Sequence, residues 1–302
     1  MNRLTMTDMG NISLVLGMQL TRDREAGTLM ISQEYYTKSI LAGFGIAGCN
    51  PVHTTGGWRG TFNRSAGRPP ARSHRNGAVP IHHWIPDVSE PMHALRHHLL
   101  RQSVARAMSK PSKLHMTAAK HLLRYLKGNM SLALTYRTGC FQLTGFCDAS
   151  WENNPDNGKS TSGYLFMMAG GPLSLKTALQ SVTAQSTMEA ELISIALASK
   201  EAVYLSNMMA ELGFGKLFHS IPFFVDNTGA LHIAGNSTYS SRTKHIALRF
   251  FFIKQLVKEG RITIHHVATT RQLADMGSKL LSKSTHRHLL ELIKGYTGKN
   301  KE

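Results

Sequence analysis

The pattern of apolar and polar positions changes character twice along the chain. Over residues 14–31, LVLGMQLTRDREAGTLMI, apolar and polar residues alternate, charge gathers at Arg22-Asp23-Arg24-Glu25, and apolar Leu29 and Ile31 follow. This predicts two strands joined by a charged hairpin. A helix from about Gln33 to Ala42 comes next, stopped by Gly43. Between residues 56 and 92, Gly, Pro, Arg and His dominate and no apolar period persists, so no regular structure is expected there. A further helix is predicted from about Ser112 to Lys127, with Ala118, Ala119, Leu122, Leu123 and Leu126 on one face, basic residues on the other, and Gly128 as its stop.

From Phe141 onward the pattern is regular. FQLTGFCDASW, STSGYLFMMAG and GPLSLKTA each alternate as strands, and turn residues from Asn153 to Gly158 separate the first two. Consecutive strands with short turns imply an antiparallel meander. A helix from about Ala184 to Leu212 follows, then a strand from Ile221 to Asp226 and a short helix near Gly229 to Ala234. An amphipathic helix from about Thr243 to Glu259, a strand from Arg261 to Val267 and a closing helix near Leu273 to Leu281 complete the order. Strands first, then strand and helix in alternation, describe an α/β fold built on a mixed sheet with helices on its faces. There is no internal repeat.

Charge narrows the partner. Lys and Arg number 35 against 18 acidic residues, a formal net charge of +17. Such an excess points to a polyanion, nucleic acid first. No apolar run approaches the ~20 residues of a spanning helix, so no membrane partner is expected. The start Met1-Asn2-Arg3-Leu4 lacks a signal-peptide pattern, so secretion is not expected either. Cys49, Cys140 and Cys147 have no Cys-x-x-Cys spacing, which supports neither a disulfide framework nor a cysteine zinc site and fits a reducing compartment.

Acidic residues are scarce, and four of them stand at the ends of predicted core elements. Asp148 lies in the first strand of the meander, Glu191 near the start of the long helix, Asp226 at the end of an apolar strand and Asp275 at the opening of the last helix. A carboxylate in an apolar setting is costly to ionise, so several together make sense when a multivalent cation neutralises them. Oxygen ligands favour Mg²⁺ or Mn²⁺ over zinc. The helix start STMEAELISIAL carries a second acid, Glu189, about 200° around the helix from Glu191, so the two cannot both face the sheet.

The blocks CDASW, KSTSGYLF, TAQSTMEAELISIALASKEAVYL, VDNTGAL, SSRTKHIALRFFFIKQLVKEGRITIHHVAT and QLADMGSK occur in one order over residues 141–296. In that order they resemble the ribonuclease H domain of a Ty1/copia-type retrotransposon Pol polyprotein. The resemblance implies a ribonuclease H-like mixed five-stranded sheet flanked by helices. It also implies that Asp148, Glu191, Asp226 and Asp275 are the catalytic carboxylates and the ligands of two Mg²⁺ ions, or Mn²⁺. Glu189 then reads as a first-turn acid favouring the helix dipole. The implied substrate is an RNA/DNA hybrid, whose RNA strand is hydrolysed. Lys159, Lys176, Arg242 and Lys244 are candidate phosphate contacts, and Ser160, Thr161 and Asn227 candidates for binding the backbone or orienting water.

The segment LGMQLTRDREAGTLMISQEYYTKSILAGFGIAGCNPVHTT resembles the approach to the thumb of the same family's reverse transcriptase. MSKPSKLHMTAAKHLLRYLKGNMSLALTY resembles the connection before ribonuclease H. The polymerase's Tyr-Val-Asp-Asp type motif is not in this sequence, so DNA synthesis by it is not expected, and the upstream reverse transcriptase domain is an expected partner. These resemblances divide the chain into a reverse transcriptase fragment at 1–56, an anomalous segment at 57–105, a connection helix at 106–137, the ribonuclease H-like domain at 138–296 and a tail at 297–302. A local shift of reading frame in a decaying element would give the anomalous segment, which the other frames of the nucleotide sequence test. The setting implied is cytoplasmic, in a virus-like particle, or nuclear. The alternative function is a degenerate remnant that binds nucleic acid or a polymerase partner without cleaving.

Other features read more plainly. His82, His83, His93, His97 and His98 fall in the anomalous segment as accidents of composition. His265 and His266 are expected to be one core and one surface residue of a strand, and Phe250-Phe251-Phe252 to be packing. The family usually has Trp where Leu175 stands, and a helix-favouring residue where Met276-Gly277 follow Asp275. The glycine is expected to cost about 1 kcal/mol of helix stability.

Overall fold

The structure, a computed structural model, describes residues 10–53, 113–139, 141–152, 154, 157–229 and 247–297. The anomalous segment 57–105 with its histidines, the predicted helix over 229–234 beyond its first residue, and Arg242 and Lys244 lie outside the described residues.

The N-terminal alternation forms β1 (Leu14–Val15), β2 (Met18–Asp23) and β3 (Thr28–Ser32), an antiparallel set whose β2–β3 register runs from Gln19↔Ser32 to Asp23↔Thr28. The charged residues stand at the hairpin, where the Asp23 carboxylate accepts from the Ala26 N–H at 2.9 Å. Helix α1 (Glu34–Gly43) follows as the pattern predicts. Helix α2 (Lys113–Gly128) buries Ala118, Ala119, Leu122, Leu123 and Leu126, the predicted face. Part of its basic face is engaged: Arg124 donates to the Asn50 carbonyl at 2.7 Å, and Lys127 to those of Ala47 and Cys49 at 2.5 and 2.7 Å. These cations satisfy carbonyls of a loop that has no ladder of its own.

A strand that sequence analysis did not predict, β4 (Leu134–Arg137), pairs antiparallel with β3 and completes a four-stranded sheet in the order β1-β2-β3-β4. It also touches the second sheet, since Tyr136 donates its hydroxyl to the Pro172 carbonyl at 2.7 Å and the Arg137 N–H donates to Ala169 at 2.6 Å.

That second sheet is the mixed five-stranded one the resemblance implies. β5 (Thr144–Ser150), β6 (Thr161–Met168) and β7 (Gly171–Leu179) form the antiparallel meander. Helix α3 (Thr187–Glu211) then crosses to β8 (Ile221–Val225), which lies parallel to β5. Helix α4 (Ala247–Lys258) leads to β9 (Ile262–His266), parallel to β8, giving the order β7-β6-β5-β8-β9. Parallel pairs need such crossovers, whereas the meander needs only turns.

Successive residues of β5 serve opposite faces. Cys147 and Ala149 join the core under α3 and α4, with Tyr164, Phe166, Phe223 and Val225. Phe146 faces the other way, into a second core with Leu165, Met167, Leu273 and Leu289. The closing helix predicted over 273–281 is instead one turn, α5 (Asp275–Ser278), followed by α6 (Lys283–Lys294), which the prediction omits. Its signal was legible: Ser282 accepts from the Thr285 N–H at 3.2 Å as an N-cap, and Leu289, Leu290 and Ile293 form the buried stripe. Tyr125 of α2 meets His286 of α6 edge-on at 6.0 Å between ring centroids, a second link between the N-terminal elements and this sheet.

Two expectations need correction. His265 and His266 are both exposed, the β9 edge burying Ile262 instead. Of the aromatic run in α4, Phe250 is buried but Phe251 is 51 % exposed.

Candidate active site

β5 and β8 run parallel with Phe146 beside Phe224, and two more residues along each strand bring Asp148 beside Asp226 at their carboxyl ends. Ligand sites in open α/β sheets form at this end, where strands that part leave a crevice. Asp275, first residue of α5, completes the group: one oxygen from each of Asp148, Asp226 and Asp275 lies within 4.8 Å of the others.

Close packing brings α5 this near. A Cβ on Gly163 of β6 would stand 3.2 Å from the Ser278 Cβ, and one on Gly277 would stand 2.9 Å from the Thr177 Oγ1. Thr177 donates its hydroxyl to the Gly277 carbonyl at 2.8 Å. The glycine expected to weaken the helix therefore admits α5 to the sheet. Leu175, standing where the family usually has Trp, is half-buried against the second core.

Glu191 approaches from α3, on the far face of the sheet, near enough to feel the charges of Asp148 and Asp226 but outside the group of three. Its Oε1 accepts from the Ala149 N–H at 3.2 Å, while its Oε2 is buried with no hydrogen-bond partner among the described residues. Ser194, one turn further along α3, donates to the Asp148 carbonyl at 2.7 Å and fixes the helix against β5. Glu189 turns away. Ser186 accepts from the Glu189 N–H at 3.1 Å, and the Glu189 carboxylate accepts from the Gln185 N–H at 2.8 Å, so this acid belongs to the helix cap.

Three residues outside the sequence-predicted set hold the site. Gln272, fully buried, donates its amide to the carbonyls of Cys147 and Phe224 at 3.1 and 3.3 Å, and its Oε1 accepts from the Ala274 N–H at 3.2 Å. One side chain thus ties down the backbone next to Asp148, Asp226 and Asp275. Ser278 donates to the Asp148 carboxylate. Lys279 donates to Asp148 Oδ1 at 3.0 Å and to Asp275 Oδ1 at 2.8 Å. Its position four residues after an acid in a helical block was the available signal.

Crowded, desolvated carboxylates hold their protons. Burial, then the neighbouring Asp148, pushes the Glu191 carboxyl up to about 9. The same causes push Asp275 up to about 7, against the pull of Lys279. Burial alone would lower the Lys279 ammonium, but Asp148 and Asp275 together raise it.

The remaining sequence-predicted residues are dispersed. Ser160 and Thr161 are buried at the start of β6, where Ser160 accepts from the Glu152 N–H at 3.3 Å. Lys159 donates to the Ser181 carbonyl at 2.8 Å. Asn227, half-buried, follows Asp226 directly. Lys176 is exposed, but Thr177 is the residue in register with Gly163 and Asp148, so Lys176 projects from the α3 face.

No family model matches the chain. It is 31 % identical over 293 residues to the retrovirus-related Pol polyprotein from transposon TNT 1-94 of Nicotiana tabacum, covering 95 % of this chain and 22 % of that protein. It is 29 % identical over 287 residues to the corresponding polyprotein from transposon RE2 of Arabidopsis thaliana, covering 93 % of this chain and 19 % of that one. Among solved structures it is similar to RNase H1 from the halophilic archaeon Halobacterium salinarum NRC-1, with 12 % identity and a TM-score of 0.33 over 44 % of this chain and 90 % of the other. The chain spans about a fifth of the length of the polyproteins it matches. It is a homologue of the retrovirus-related Pol polyproteins of plant transposons, with a mixed five-stranded sheet at whose central strands Asp148, Asp226 and Asp275 converge.

Proposed function

We propose that residues 138–296 form a ribonuclease H-type unit that hydrolyses the RNA strand of RNA/DNA hybrids. The observation that carries this reading is the convergence of Asp148, Asp226 and Asp275, beside a buried Glu191 oxygen with no hydrogen-bond partner among the described residues. A hard-oxygen donor set of this charge fits Mg²⁺ or Mn²⁺, and an unmet buried acceptor is the kind of atom such a cation completes. The two-ion form implied by the resemblance would be held by Asp148, Glu191, Asp226 and Asp275. When bound, the metal supplies Lewis-acid activation of water and stabilisation of the leaving oxygen.

The chain's own residues supply the rest. Gln272 and Ser194 hold the backbone on which the acids stand, so their carboxylates need little reorganisation. Ser278 fixes one Asp148 oxygen. Thr269 donates to Asp226 Oδ2 at 3.1 Å and orients that carboxylate. The reaction adds one water: its oxygen bonds to phosphorus, the P–O3′ bond breaks, and the leaving 3′ oxygen ends protonated beside a new 5′-phosphate. Lys159, Asn227, Arg242 and Lys244 are the proposed contacts for the hybrid backbone, and Lys176, which projects from the α3 face of the sheet, is left out of the set.

A panel of labelled substrates tests the reading. The purified 302-residue chain with Mg²⁺ is expected to cut the RNA strand of a hybrid, leaving 5′-phosphate and 3′-hydroxyl ends, and to spare duplex DNA of the same sequence. Equal cutting of the DNA duplex would point to another nuclease. Tight hybrid binding without cutting would support the remnant that the anomalous segment 57–105 suggests.

A further inference from the structure

The acid cluster already contains a cation of the chain's own. Lys279 lies just after α5, four residues beyond Asp275, and its ammonium bridges Asp148 Oδ1 at 3.0 Å and Asp275 Oδ1 at 2.8 Å. Among the described residues, no other Lys or Arg forms an ion pair with Asp148, Glu191, Asp226 or Asp275. Three of the acids are enclosed, Asp148 at 0 %, Glu191 at 5 % and Asp275 at 5 % exposed, while Asp226 is half-buried. Buried like charges repel strongly unless a counter-charge stands among them. Lys279 provides that charge, yet its side chain is 32 % exposed, so a path to solvent is open to it.

We infer that Lys279 is the resident counter-ion of the metal-free acid cluster, and that a divalent cation binding to Asp148 and Asp275 must displace its ammonium. The inference rests on the metal-site reading above and adds a competition to it. The two oxygens that Lys279 occupies, one on each acid, lie in the same cluster that offers ligand atoms to a metal. A divalent cation drawn into the site meets a lysine whose attraction it has to overcome. The lysine therefore stabilises the cluster without metal and raises the metal concentration at which the site fills. Linkage makes these one effect, because whatever favours the metal-free state weakens metal binding by the same factor.

The test uses the full chain, with Mg²⁺ alone as the probe, at pH 8.5 to limit competition from protons. Calorimetric titration is expected to give Lys279→Met a dissociation constant lower than the parent's by on the order of tenfold. Lys279→Arg, which keeps the charge, is expected to stay close to the parent. Without metal, Lys279→Met is expected to melt at a lower temperature. A second measurement needs no variant: acetylation of Lys279 by a brief pulse of reagent, read by mass spectrometry, is expected to speed up severalfold when Mg²⁺ is added. Mg²⁺ binding to Lys279→Met as weakly as to the parent or more weakly, or a labelling rate that Mg²⁺ leaves unchanged while calorimetry shows it bound, would overturn the inference. Absence of Mg²⁺ binding to both parent and variants would instead remove the metal-site reading, and this inference with it.

Discussion

At the scale of single residues, burial and the neighbouring Asp148 make the charged forms of Glu191 and Asp275 unfavourable. Their carboxyls stand at about 9 and about 7, so both keep protons at pH values where the unfolded chain has lost them. The folded state thus binds more protons than the unfolded one above pH ~4, and the stability these groups contribute is lost as pH rises through 7 for Asp275 and 9 for Glu191. The metal-free chain is accordingly expected to melt at progressively lower temperature between pH 5 and pH 9, and Mg²⁺ at saturating concentration is expected to flatten that slope. Scanning calorimetry with and without Mg²⁺ checks both. Glu191→Gln replaces a carboxyl that the fold forces to hold a proton with a group that is neutral at every pH, and keeps the shape. It is expected to raise the metal-free melting temperature at pH 8 while lowering hybrid cleavage by roughly 10²–10³. A variant that lost stability and activity together would mean that Glu191 is needed only for packing.

At the scale of elements, the site depends on a one-turn helix held by its neighbours. α5 is too short to be stable alone. It is held by the Thr177 hydroxyl on the Gly277 carbonyl and by the close approach at Gly163. Gly277→Ala places a methyl 2.9 Å from the Thr177 Oγ1. Such overpacking is expected to cost about 1–3 kcal/mol in chemical denaturation, with cleavage lowered because Asp275 moves with the helix. Gln272→Ala leaves two strand-end carbonyls and the Ala274 N–H without their partner, and is expected to cost about 2–4 kcal/mol on the same measurement.

These elements also show what was legible in the sequence. Asp148 and Asp226 could be placed because one lies within an apolar strand and the other directly follows one, and strand periodicity survives in a single chain. Glu191 could be separated from Glu189 by angle and family position. The shape of the closing segment could not: the residues after Asp275 follow a helical pattern too briefly, and tertiary packing sets where the turn stops. β4 escaped for a related reason. Its four residues form a strand because β3 offers them a free edge more than 100 positions earlier in the chain, a pairing that local pattern does not encode. Gln272 and Lys279 were inside a quoted block, but their bonds to strands distant in sequence appear only once the fold exists.

At the scale of the whole molecule, the N-terminal strands, α2 and the second sheet are tied together through β4 and the Tyr125–His286 contact, so the two sheets share hydrogen bonds and packing. No helix among the described residues is long and apolar enough to cross a membrane. With a net charge of +17, hybrid binding is expected to be strongly salt-dependent, the logarithm of affinity falling linearly with that of salt concentration. Filter binding in the presence of EDTA, over about 50 to 200 mM salt, would measure the slope, and a flat response would show that the basic surface does not carry the contact. The proposed RNA hydrolysis depends on the carboxylates gathered at the ends of β5, β8 and α5. Its most direct test is cleavage of an RNA-labelled hybrid by the full chain with Mg²⁺, beside Asp226→Asn, both proteins shown folded by circular dichroism. RNA-strand cleavage by the parent and a loss of at least about a hundredfold in the variant are expected. An intact RNA strand with folded parent protein, or equal cleavage by the variant, would contradict it.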